Sequence, residues 1–229
     1  MKKIISIQGN KKSGKDTAAI FIKYILETPS FLHNYKIAKF LKFKTFKDKW
    51  IITRYAEKLK SVLSIILNVP VEKFEDREFK ENKYFNFETC KFVDNPRVIS
   101  DTNFNRHIKK GYLDVFTEYD LSVRQILQAF GTDLMRRYLG DKLWINLTLN
   151  QNYDNIIIAD QRFIIENETV QDNEGIIIHV NRPGCESGKH PSEKEIKKLY
   201  QKNQYDYIID NDGSLEDLFN ECKYICGLL

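Results

Sequence analysis

A chain of 229 residues is long enough for one substantial α/β core and short for two comfortable domains. Hydrophobic residues make up 42% and charged residues 30%, an ordinary globular balance, and no run of about 18 apolar residues that would span a membrane occurs. The net charge of +4, from 36 basic and 32 acidic residues, is too mild to mark a nucleic-acid binder by itself and suits a protein that handles small anions.

Ile4 to Ile7 form a short β-branched run that predicts a buried strand. Gly9-Asn10-Lys11-Lys12-Ser13-Gly14-Lys15 follows, then Asp16, Thr17 and an apolar-periodic helix from about Gly14 to Glu27. Strand, G-x-x-x-x-G-K, helix is the pattern of a phosphate-binding loop. Gly9 and Gly14 permit positive φ, which turns a run of N–H groups inward around an anion. The helix start adds unpaired N–H groups and the positive end of its dipole. Lys15 then places an ammonium at the β- and γ-phosphates. The Ser or Thr that usually follows the lysine is Asp16 here, with Thr17 next. Both are expected to serve a Mg²⁺ ion, and the choice between their oxygens is open. The strand is expected to begin within three residues of Met1, so no signal peptide is expected. Cys90, Cys185, Cys222 and Cys226 read as small reduced thiols, so a cytoplasmic setting is expected.

Beyond Thr28-Pro29 lies a basic aromatic stretch: Lys36, Lys39, Lys42, Lys44, Lys47 and Lys49 interleave with Phe40, Phe43 and Phe46. A single-stranded nucleic-acid surface is one reading, and a solvated amphipathic connector is the preferred one. Trp50 to Tyr55 reads as a second strand, and Ala56 to Leu67 as a helix. From Asn68 to Asp120 the periodicity is lost, and Pro70 and Pro96 interrupt it. Such a stretch predicts a functional insertion, a cover over substrate and not a separate domain. Arg77, Arg97, Arg106 and Lys109 within it are equal candidates for touching a phosphate.

Ser122 is the expected N-cap of a helix over Val123 to Phe130, which Gly131 interrupts, Thr132 or Asp133 restarts and Gly140 ends. A further helix, Asp141 to about Asn152, carries Trp144. Asn155 to Ala159 predicts a strand followed at once by Asp160-Gln161-Arg162 and a helix containing Glu166. Ile176 to Val180 predicts another, ending in Asn181-Arg182-Pro183-Gly184. A short loop at about 183–192 follows, read as a lid, and Ser192 with Glu195 reads as a capping box. Tyr205 to Ile209 is the last strand, and Asn211-Asp212-Gly213 turns into a helix capped by Ser214. Strands alternating with helices predict a parallel sheet of five strands covered on both faces, a three-layer α/β/α fold of the P-loop NTPase kind.

Ligands of such sheets gather beyond the carboxyl ends of the strands. That rule selects Gly9 to Thr17, Asp160 with Arg162, Arg182, and Asn211 to Gly213. Asp160 takes the place of the acid that orients Mg²⁺ or its water, the duller reading being an Asp that caps the next helix. Arg162 suits phosphate through its planar fork. Arg124 and Arg182 are further candidates, with a structural ion pair as the other reading. His179 reads as a packed side chain, and His190 as either a phosphate contact or a surface residue. No Ser/His/Asp or Cys/His set stands out. Phosphoryl transfer needs none, only positioning and neutralisation of charge. The inventory suits a kinase whose acceptor is already phosphorylated.

Ser13-Gly14-Lys15-Asp16-Thr17, Val123 to Leu134, Asp160-Gln161-Arg162-Phe163, His179 to Gly184 and Asn211-Asp212-Gly213-Ser214-Leu215, in that order, resemble the deoxynucleoside monophosphate kinases of large tailed bacteriophages. The resemblance runs from Ile4 to the C-terminus, with about Phe31 to Asp120 lacking a counterpart. It implies an adenylate-kinase-like fold, ATP with Mg²⁺ as donor, and deoxynucleoside monophosphates as acceptors. By the same resemblance Lys15 holds the ATP phosphates, with Gly9, Asn10, Lys11, Lys12, Ser13, Gly14, Asp16, Thr17, Arg182, Asn211 and Gly213 around the nucleotide. Asp16, Thr17 and Asp160 serve the metal. Asp160, Arg162, Trp144, Glu166, Arg124, Gln128 and Asp133 line the acceptor site. Lys15, Asp160, Arg162 and Arg124 form the catalytic set. Neither membrane nor nucleic acid is expected as a partner, and the resemblance leaves room for a homodimer. The Ser-Gly-Lys-Asp variant is also reminiscent of animal phosphomevalonate kinases, and a regulatory P-loop NTPase or a nucleic-acid-end kinase is the alternative of another class.

Overall fold

The computed structural model describes residues 2–40, 49–185 and 191–229, and the chain divides into two compact units. One is made of residues 1–55 and 148–229, the other of residues 56–147. His190, most of the 183–192 loop and the Lys42 to Lys47 part of the basic aromatic stretch lie outside the described residues.

The first unit holds five parallel strands: β1 (Lys3–Gln8), β2 (Ile51–Thr53), β3 (Asn155–Gln161), β4 (Ile176–Asn181) and β5 (Tyr207–Asp210). Their order is β2-β3-β1-β4-β5, so the strand that feeds the glycine-lysine loop is central. It earns that place chemically, since every residue from Ile4 to Gln8 is buried. Ile5 and Ile7 join Ile157, Ala159, Ile178 and Val180 on one face. Against that face pack α1 (Lys15–Glu27), through Ala18, Phe21 and Ile22, and α4 (Leu215–Cys226), through Leu218, Phe219 and Cys222. Phe21 and Phe219 meet edge to face at 5.3 Å. Each such buried aromatic contributes on the order of 2 kcal/mol. Helices α2 (Ile164–Asp172) and α3 (Pro191–Gln201) belong to the other face, with Val170, Ile196 and Leu199 buried. Because α3 begins at Pro191, Ser192 lies inside the helix and not at its cap, and Glu195 accepts the Ile164 N–H at 2.9 Å.

The third strand runs two residues further than its apolar run predicts, so Asp160 and Gln161 belong to it. Ser6 pairs with Ile158 but Gln8 pairs with Gln161. One extra residue is therefore accommodated in β3, a bulge that redirects the side chains at the strand's tip.

The second unit, residues 56–147, contains the 68–120 stretch and has buried side chains of its own. Strands Lys91–Val93, Tyr84–Asn86 and Leu121–Ser122 form a small antiparallel sheet, with helices Arg77–Asn82, Asp101–Lys110 and Val115–Glu118. Phe74, Phe85, Phe104, Ile108 and Leu121 are buried, and Phe85–Phe92 and Phe87–Phe116 pack edge to face at 5.2 and 5.3 Å. Buried Asp120 accepts the Asn86 amide at 2.6 Å and the Arg97 N–H at 2.7 Å. The strands and the helices Arg77–Asn82 and Val115–Glu118 are too short to show a period, which hid much of this core from the sequence. Ser122 caps Val123–Gln128 with a full capping box through Gln125. Gly131 does not break the chain's course: residues Ala129–Leu134 form a π-helical turn that leads into Met135–Leu139. The helix with Trp144 is shorter than expected, Leu143–Leu149. Among the described residues no helix is long and apolar enough to cross a membrane.

Candidate active site

Gly9 and Gly14 are fixed by close approach as well as by φ. A Cβ on Gly9 would lie 2.6 Å from both Ser13 Oγ and the Val180 carbonyl. Gly14 holds φ at +96°, and a Cβ there would collide with Asn211 Nδ2. Between them Lys12 adopts φ +68°, and the Ser13 N–H closes a turn on the Asn10 carbonyl at 3.1 Å. Asn211, buried at the end of β5, donates its amide to the Ser13 carbonyl at 2.7 Å. Asn10 in turn donates to the Cys185 carbonyl at 2.8 Å. Asn211 is thus a brace of the loop from 198 positions away, with its amide committed to the main chain. Gly213 adjoins the Ser214–Asp217 capping box of α4, where a Cβ would crowd the Asp217 carboxylate. Arg182, just beyond β4, is exposed.

Lys15 opens α1 and is only 6% exposed. Burial holds its ammonium below the usual lysine pKa, and Arg162 and, less strongly, Arg54 push it the same way, while Asp16 and Asp160 pull it up. Two cations and two carboxylates therefore act electrostatically on the lysine, and four of the five residues are those the sequence selects. Arg54 is the one it misses. Its Nη2 lies 2.9 Å from Asp16 Oδ1, a pair between partly exposed groups. The signal was present: Arg54 is the first residue beyond β2, but reading that strand to Tyr55 placed it inside.

Asp160 Oδ1 accepts the Tyr55 N–H at 2.8 Å, so it caps the helix Tyr55–Leu67, a different helix from the next one in the chain. Arg162 is half-buried, and its N–H is held by Glu166 Oε2 at 2.7 Å, with the Phe163 N–H on the same oxygen at 3.0 Å. Glu166 is buried and supports the backbone of Arg162. Thr17 is the third residue of α1 and half-buried. Among the described residues no group of three or more His, Cys, Asp or Glu side chains could hold a metal unaided. Mg²⁺ in phosphoryl-transfer sites is bound by one or two carboxylates together with phosphate and water. Asp16 and Asp160, both felt by Lys15, fit that donor set.

Arg124, Gln128, Asp133 and Trp144 belong to the second unit. Arg124 Nη2 lies 2.9 Å from Glu81 Oε1, which Arg77 also reaches at 3.2 Å. The Arg77 hydrogen bond, ahead of the Arg124 charge, keeps the Glu81 carboxyl below its ordinary pKa. Trp144 is 3% exposed, and its indole N–H donates to the Gly131 carbonyl at 2.9 Å, anchoring the π-helical turn. Gln128 and Asp133 are half-buried on the helix and on that turn.

Known proteins share this arrangement of sequence. The family model described as deoxynucleotide monophosphate kinase matches residues 3–222. The deoxynucleotide monophosphate kinase of Escherichia phage RB69 is 26% identical over 254 aligned positions, covering 97% of this chain and 98% of that protein. Its counterpart in Enterobacteria phage T4 is 34% identical over 110 positions, 44% of each chain. Among solved structures, dephospho-CoA kinase from Campylobacter jejuni aligns with 99% of this chain and 96% of its own at 16% identity and a TM-score of 0.39, too loose a likeness to carry an argument. The family match spans both units, and the chain belongs to the deoxynucleotide monophosphate kinases.

Proposed function

We propose that the protein transfers the γ-phosphoryl group of ATP to deoxynucleoside 5′-monophosphates, giving deoxynucleoside diphosphates and ADP in the cytoplasm. The carrying observation is the buried Lys15 at the mouth of α1, with Arg162 and Arg54 beside it and Asp16 and Asp160 opposite in charge. A lysine pressed by arginines is stabilised by added negative charge, which is what triphosphate and acceptor phosphate bring together.

In this reading the amides from Asn10 to Lys15 and the start of α1 receive the donor's terminal phosphates, with Lys15 between them and Arg182 at the rim. Arg162 and Arg54 neutralise the acceptor phosphate, and Glu166 fixes the Arg162 backbone so that its fork is aimed before substrate arrives. Asp16, Thr17 and Asp160 would hold Mg²⁺, which supplies charge neutralisation on the phosphoryl oxygens. Arg124, Gln128 and Asp133 are assigned to the deoxynucleotide, and Trp144 to the turn that carries Asp133. No protein nucleophile takes part, so rate comes from alignment and charge.

The test uses γ-labelled ATP and Mg²⁺ with the common deoxynucleoside and nucleoside monophosphates, phosphomevalonate and a 5′-hydroxyl oligonucleotide. Label is expected in deoxynucleoside diphosphates. Label found only on phosphomevalonate, or only on the oligonucleotide, would overturn the assignment.

A further inference from the structure

Three buried amide side chains lie beneath the strand tips that carry the charged site. Gln8 is the last residue of β1, directly before Gly9, and Gln161 is the last of β3, between Asp160 and Arg162. The two are register partners on adjacent parallel strands, so the bulge that precedes them turns Gln161 to the face of Gln8 and away from the α1 face, where Ala159 lies. Asn167, on α2, completes the group: Gln8 Nε2 and Asn167 Nδ2 both donate to the Gln204 carbonyl, at 3.1 and 2.7 Å. All three residues are at most 1% exposed.

Those two bonds fix which way the Gln8 and Asn167 amides face, and so direct Gln8 Oε1 and Asn167 Oδ1 away from Gln204. Neither oxygen has a hydrogen-bond partner among the described residues, and neither do Gln161 Nε2 and Oε1. Gln161 Nε2 has two protons, but it shares a short side chain with an oxygen that also lacks a donor. The large majority of buried side-chain polar atoms are matched, by protein or by ordered water. One water molecule offers two donors and two acceptors, which answers two oxygens and an amide N–H, close to the usual three bonds of a buried water.

We propose that Gln8, Gln161 and Asn167 bind an internal water, and that Gln161 is a positioning residue which through it ties the tip of β3 to the tip of β1. The link would keep Asp160 and Arg162 in register with the phosphate loop, since the loop follows Gln8 without an intervening residue. The effect on rate rests on the kinase reading above; the water does not.

A high-resolution crystal structure of the wild-type protein should show a water within hydrogen-bond distance of Gln8 Oε1, Asn167 Oδ1 and the Gln161 amide. Direct contacts of these atoms with protein groups instead would overturn the proposal, whatever the activity. Gln161→Met keeps the volume and removes the amide, and Asn167→Leu does the same on the other side. Each should lower kcat by about tenfold or more, because small displacements of aligned groups are costly in rate. Nucleotide KM should change little, and the double variant should be no slower than the slower single one. Lowered melting temperature with kcat intact would make Gln161 a packing residue only and refute the positioning role. A wild-type protein without phosphoryl transfer would defeat the kinase reading and leave the crystallographic result to decide the water.

Discussion

Asn211→Ala is the sharpest perturbation of the phosphate loop that leaves the loop's own sequence intact. The bond lost is short, 2.7 Å, between buried groups, and the Ser13 carbonyl is left without that donor. Such a loss costs about 2 kcal/mol, which for a chain of this length lowers Tm by roughly 6 °C. If binding ATP must then restore the loop, most of that energy appears in affinity, raising the dissociation constant by about tenfold. The partner substitution is Gly14→Ala. Its φ of +96° costs an L-residue about 1–2 kcal/mol, and the new methyl collides with the same Asn211 amide. On the wild-type background Gly14→Ala therefore carries both penalties, whereas on Asn211→Ala it carries only the first. A double-mutant cycle, read by thermal unfolding and by ATP titration calorimetry, should show the two changes costing less together than their sum, by about 1–2 kcal/mol. Additive effects, or an ATP affinity of Asn211→Ala within about twofold of wild type, would show that Asn211 does not shape the loop.

Arg162→Ala removes the guanidinium but keeps the N–H that Glu166 accepts, so the backbone should hold. Acceptor phosphorylation is expected to fall by at least about a hundredfold with ATP binding near normal in calorimetry, and lost ATP binding would move Arg162 to the donor side. His179 is 3% exposed beside the rings of Tyr200 and Tyr205, and burial lowers its pKa to about 4 against a smaller opposing pull from Asp210. The unfolded chain binds that proton near pH 6.5, so stability is complete above that pH and declines by about 3 kcal/mol as pH falls to 4. Urea unfolding at several pH values should show this decline in wild type and lose it in His179→Phe; an unchanged slope would place the effect elsewhere. Burial pushes the Cys226 thiol up to about 12 and Cys222 well above its usual value. Alkylation of the folded protein at pH 8 should mark exposed Cys90 and spare these two, and rapid labelling of buried Cys222 or half-buried Cys226 would contradict their raised pKa.

The first unit was legible where local chemistry and long-range packing agree. Isoleucine runs fully buried on both faces of a parallel sheet announce themselves, and Gly9, Gly14 and Lys15 keep the spacing their backbone requires. What the sequence did not show depended on partners distant in it. Asn211, two residues before Gly213, reads as a nucleotide contact, and only the fold adds that its amide donates to the Ser13 carbonyl. Arg54 was hidden by a strand end misplaced by two residues, although its ion pair with Asp16 puts it at the heart of the charge cluster. Gly131 looked like an interruption, because a π-helical turn stabilised by the Trp144 indole has no periodic trace. Part of the second unit's core is carried by phenylalanines in short elements such as the three-residue strand Tyr84–Asn86, where no period can establish itself.

The central claim is that the glycine-lysine turn grips a nucleotide's terminal phosphates while a second phosphorylated molecule meets the arginines beside it. Transfer of label from γ-labelled ATP to each deoxynucleoside monophosphate, run side by side with wild type and Lys15→Ala, addresses it directly. The account predicts one labelled diphosphate per ADP in wild type, and a loss of at least about a hundredfold in kcat/KM in the folded variant. ADP appearing without any labelled diphosphate, or a variant within about tenfold of wild type, would contradict it.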